Sequence, residues 1–93
     1  MSKSQYQIQP YTFKRARELG IDIEPSDKPK YKLKVFANNK IYYIGAAGYS
    51  DFPTYIKEKG FDYAIERRRL YFLRHHRDIK PGTRGYLAAY LLW

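Results

Sequence analysis

Between Gly60 and the pair Pro81-Gly82 runs FDYAIERRRLYFLRHHRDIK, a stretch free of glycine and proline and rich in residues that favour a helix. A run of this length without a breaker folds as a helix, with expected bounds at about Phe61 and Asp78. Past the break comes a wholly apolar stretch, Tyr86 to Trp93, which predicts a last helical piece. The long helix carries a triple arginine, Arg67 to Arg69, among aromatic side chains. One of its sides needs apolar cover, and its cations need anions or water.

Projected at about 100° per residue, Phe61, Ala64, Ile65, Phe72 and Ile79 fall in one stripe, the expected core face. Tyr63, Arg67, Leu70, Arg74 and Arg77 fall on the other side. Guanidinium forks match phosphate and carboxylate oxygens, so this side reads either as an anion-facing ridge or as a solvated arginine face. Arg68 and His75 project beside the apolar stripe. A buried arginine is costly unless paired, so Arg68 is expected in a structural ion pair with Asp51, Glu58 or Asp62. In the terminal run, Leu87, Leu91 and Leu92 are expected to be buried against a hairpin. Tyr86, Tyr90 and Trp93 are candidates for self-packing or for a partner patch, with Trp93 expected to dock into its own domain.

Upstream, residues 1–9 predict a loose tail. Pro10 and Thr12 open a helix that runs to Leu19 and stops at Gly20. The segment IDIEPSDKPK, with its two prolines, predicts an extended connector. The expected division is therefore a tail, short helix and connector over residues 1–30, followed by a hairpin-plus-helices domain over residues 31–93. From Tyr31 to Ala37 apolar and basic residues alternate as in a strand. Asn38-Asn39 tolerates the positive φ of a tight turn, and Ile41 to Ile44 returns as a second strand. Gly45-Ala46-Ala47-Gly48 is a small-residue turn without the lysine and spacing of a phosphate loop. Ser50 or Asp51 caps a short helix with Pro53 in its first turn, and Gly60 ends it. The fold class is α+β: one small domain, a two-stranded antiparallel hairpin packed against the long basic helix and short flanking helices.

The formal net charge is +9 on 93 residues, which attracts polyanions: nucleic acid, anionic lipid or an acidic protein surface. Lys32 and Lys34 on the first strand and Arg84 before the terminal run extend the basic set of Arg67, Arg74 and Arg77, with Tyr63 beside it. There is no cysteine, so disulfides and thiolate zinc sites are excluded. No apolar run is long enough to span a membrane, and the N-terminal residues lack the apolar segment of a signal peptide. His75 and His76 diverge by about 100° on a helix and cannot grip one metal together. His76-Arg77-Asp78 matches a kinase triplet without its companion motifs. No paired carboxylates, activated nucleophile or cofactor loop is present, so neither an enzyme, a metal nor a cofactor is expected.

Four segments together resemble a family of short basic proteins encoded by large double-stranded DNA viruses of algae and protists. They are RARELGIDIEPS, KLKVFANNKIYYIGAAGYSDFPTYIKEKG, YAIERRRLYFLRHHRDI and GTRGYLAAYLLW, spread from about Phe13 to Trp93. The chain departs from that pattern in its greater tyrosine content and more apolar end. The resemblance implies a setting, a viral gene product carried in the virion, and it brings no catalytic residue with it. The expected function is a non-enzymatic, virion-associated minor capsid protein whose basic and aromatic faces meet acidic capsid proteins or packaged double-stranded DNA. The alternative is a sequence-independent nucleic-acid-binding protein.

Overall fold

The computed structural model describes residues 6–93. The order of elements is α1 (Pro10–Leu19), β1 (Asp22–Pro25), β2 (Tyr31–Ala37), β3 (Lys40–Ala46), α2 (Phe52–Lys59), α3 (Phe61–His75), a short 3₁₀ turn (His76–Asp78) and α4 (Arg84–Leu92). The fold is α+β, as expected. The chain divides into two compact units between Tyr49 and Ser50.

The first unit is a three-stranded antiparallel sheet in the order β1-β2-β3, with α1 beside β1. The hairpin β2–β3 turns through Asn38 and Asn39, both at positive φ, as a two-residue turn between twisted strands requires. Leu33, Val35 and Ile44 are buried, with Leu33 opposite Ile44 in the register. The expected connector is in fact a strand: Asp22 to Pro25 pair with Phe36 to Leu33. Proline is tolerated at the end of an edge strand because only one side of that strand needs ladder donors. The expected boundary at residue 30 therefore falls inside a sheet, and the hairpin is part of three strands. Of the expected loose tail, residues 1–5 lie outside the described residues, while Ile8 is buried just ahead of α1. Gly20 closes α1 in the left-handed conformation, its amide bonding back to Arg17.

The second unit is helical. The Asp51 carboxylate accepts from the Thr54 amide at 3.1 Å and caps α2, with Pro53 in the first turn. Gly60, at φ 93°, joins α2 to α3 and lets the two helices fold against each other. Edge-on contacts between Phe52 and Phe61 and tilted contacts between Tyr55 and Tyr63 line that pairing. In α4, Leu87, Ala89, Leu91 and Leu92 are buried, in keeping with the apolar pattern. Trp93 stacks on Tyr71 at 4.5 Å and 11° and meets Tyr55 at 6.0 Å, so it docks into its own unit. Thr83 caps α4, its hydroxyl accepting from the Tyr86 amide.

Candidate partner-binding face of the long helix

The orientation of α3 differs from the amphipathic projection. Ala64 is buried as expected, but Phe61 is 59% exposed and Ile65 40% exposed. The inward side instead runs through Ala64, Arg68, Tyr71 and His75, at the three- and four-residue steps of one helix face, with Arg67 half-buried at its edge. Arginine side chains take part in this inward side. The Arg68 guanidinium lies 5.2 Å from the Phe52 ring centre and 5.5 Å from that of Phe72, and Arg67 lies 5.7 Å from that of Tyr55. Guanidinium is weakly hydrated, sits well on ring faces, and has an apolar stem that covers neighbouring carbon. Arg68 therefore sits among rings, not in the expected ion pair with Asp51, Glu58 or Asp62. Each such contact is worth about 0.5–2 kcal/mol, enough to offset the loss of an isoleucine from the interior only because several act together.

Turning α3 this way aims a different set outward. Leu73 is 60% exposed, and Arg74 and Arg77 are exposed as expected. Arg67, Leu70, Leu73 and Arg74 line a shallow open hollow of about 350 Å³ on the helix surface. Among the described residues no carboxylate pairs with Arg67, Arg68, Arg74 or Arg77. Arg69 is different: its guanidinium bonds Glu66 in a bidentate pair, at 3.1 and 2.6 Å. That pairing holds the Glu66 carboxyl below its usual range and pushes Arg69 up. Tyr63 lies at the start of the same helix, half open and in ring contact with Tyr55.

The hairpin lysines are covered within their own unit. Lys32 is only 5% exposed, with its ammonium 5.1 Å from the Tyr6 ring centre. Lys34 approaches Asp27 at 3.8 Å and Glu24 at 4.0 Å. Asp27 is held below its usual pKa, first by a hydrogen bond from the Tyr43 hydroxyl and then, against the opposing effect of burial, by Lys34. The same bond pushes the Tyr43 phenol up. Strand alternation correctly set the two lysines apart from Leu33 and Val35. It could not show that neighbouring rings and carboxylates would cover them. Arg84 is exposed in the first turn of α4. On α4, the Tyr86 and Tyr90 rings lie 4.5 Å apart, and Tyr90 remains open to solvent. Trp93 faces Tyr71 and Tyr55, so it does not share an exposed patch with them.

The two histidines do separate. His75 lies against the Tyr71 ring and approaches Asp78 at 3.5 Å, whereas His76 Nδ1 meets the Leu73 carbonyl at 3.0 Å. Among the described residues no group of three or more His, Asp or Glu side chains is placed to hold a metal, and no helix is long and apolar enough to cross a membrane. The Tyr71 phenol is pushed up by burial first and by the nearby Asp78 charge second. Comparison with protein-family models, curated proteins and solved structures finds no significant match.

Proposed function

We propose that the chain is a non-enzymatic binding protein of a virion, a minor capsid component that meets acidic protein surfaces through the outward face of α3. One observation carries this reading: arginines without carboxylate partners among the described residues flank an exposed leucine on a single helix face. An interface of mixed character, apolar at its centre and charged at its edge, suits a protein partner. The virion setting rests on the viral-family resemblance. The second reading, sequence-independent binding to packaged DNA, draws on the net charge of +9. It is weakened by the burial of Lys32 and the pairing of Lys34, which remove two cations from any continuous phosphate track. Proteomics of purified particles, before and after genome removal, tests the choice. Retention with the emptied shell is expected, and departure with the genome would favour the second reading.

A further inference from the structure

Arg67 and Arg74, both in the lining of the hollow on α3, are seven residues apart. That is two helical turns, so they leave the helix on nearly the same side from levels about 10 Å apart along the axis. Leu70 and Leu73 lie between them in the lining of the hollow. Two cations bracketing two leucines form a short sequence of charges that a partner can match only at the same spacing. A second helix laid along this face presents its own side chains at two-turn intervals, and its apolar residues at the third and fourth positions between. Resting on the reading of this face as protein-binding, we propose that the hollow receives an acidic amphipathic helix of a protein partner. Carboxylates seven residues apart on that helix bond Arg67 and Arg74, and leucine-like residues between them cover Leu70 and Leu73.

Two alternatives fit less well. A nucleic-acid duplex would neutralise the arginines but leave Leu73, 60% exposed, without apolar cover. A second copy of this chain lacks the complementary helix. Asp51 and Glu58 are its only carboxylates seven residues apart, and Asp51 is buried as the cap of α2. Glu66 is already held by Arg69. Charge complementarity therefore points to an acidic helix from a different protein.

The probe is a synthetic helical peptide of about fifteen residues with two glutamates seven apart and leucines at the third and fourth positions between them. Binding to the full chain is followed by anisotropy of a labelled peptide. Arg74→Glu and Leu73→Lys each act at an exposed position, and each is expected to weaken binding about tenfold or more while circular dichroism and Trp93 emission stay unchanged. A peptide with lysine in place of both glutamates should bind Arg74→Glu better than it binds wild type. Equal affinity for wild type and the two variants would overturn the proposal, as would undiminished binding of a peptide whose leucines are replaced by glutamine. Binding of a duplex of about 20 base pairs that is lost in Arg74→Glu and displaces the peptide would overturn it in favour of a phosphate-binding face. If wild type does not bind the peptide at all, this inference fails, while the wider capsid reading is decided separately by the particle experiment.

Discussion

Gly85 shows how a single missing carbon can set a helix in place. It lies in the first turn of α4, and a Cβ there would collide with the Asp78 carbonyl oxygen at the end of the 3₁₀ turn. That same oxygen accepts from the Lys80 amide at 3.1 Å and the Thr83 hydroxyl at 3.3 Å, so the turn cannot shift without losing those bonds. Alanine would gain about 1 kcal/mol in helix propensity, but the clash is with backbone and not with a flexible side chain. We expect Gly85→Ala to destabilise the protein by about 1–3 kcal/mol in chemical denaturation, and unchanged or increased stability would show that α4 starts elsewhere. Asp27 supplies a test in pH. Its carboxyl is held below the ordinary value of 3.8, chiefly by the Tyr43 hydroxyl, so as pH falls the unfolded chain takes up this proton first. The contribution is therefore present above about pH 4 and is lost as pH drops through the folded-state pKa. Thermal melts from pH 7 to pH 2 should show a shallower acid limb in Asp27→Asn than in wild type. Tyr43→Phe should have a similar effect, and the double variant should add little beyond either single change.

At the scale of elements, the turn Asn38-Asn39, the cap Asp51, the stop Gly20 and the burial of Leu87, Leu91 and Leu92 are all legible in the sequence, because each follows from local geometry or from a solid apolar run. Two features are not. Asp22 to Pro25 reads as a connector because acidic residues and proline are poor strand formers, and only pairing with β2 makes it a strand. The phase of α3 departs from the projection because hydropathy places arginine outside and phenylalanine inside. The rings of Phe52 and Tyr55 on α2 give Arg68 and Arg67 a place beside them. The expected consequence is measurable: Ile65→Ala should change stability by no more than about 0.5 kcal/mol, as for an open surface position, and Phe61→Ala by about 0.5–1.5 kcal/mol through its edge contact with Phe52. A loss of several kcal/mol at either would restore the projected phase. Trp93 should behave in the opposite way. It is the only tryptophan, and it is stacked on Tyr71, so its emission should lie to the blue of a solvated indole and move red on unfolding. Trp93→Ala should cost about 1.5–3 kcal/mol. Red emission from the folded chain would mean that the ring does not dock.

Over the whole molecule, the excess of positive charge says less about a partner than the places where that charge is free to act. Of the basic residues, Lys34, Arg15 and Arg69 face carboxylates, and Lys28, Lys32 and Arg68 lie over rings, while Arg67 lies near the Tyr55 ring and also lines the hollow on α3. This is why the candidate site is only partly legible in the sequence, which shows how many cations there are, whereas their coverage depends on the fold. Arg74 and Arg77 combine exposure with the absence of a carboxylate partner among the described residues, and removing both lowers a formal net charge of +9 by two. Retention on a generic cation exchanger follows the total charge and should fall only slightly in Arg74→Gln/Arg77→Gln. Capture of an acidic partner through α3 should fall much further, because both losses fall at the C-terminal end of α3 and in the turn that follows it. If duplex DNA is the true ligand, the variant should instead show a shallower dependence of log Kd on log salt, by about 0.9 for each phosphate contact removed. Parallel small losses in all three assays would mean that only overall charge matters. That result would remove α3 as a specific site and with it the distinction between one basic surface and another.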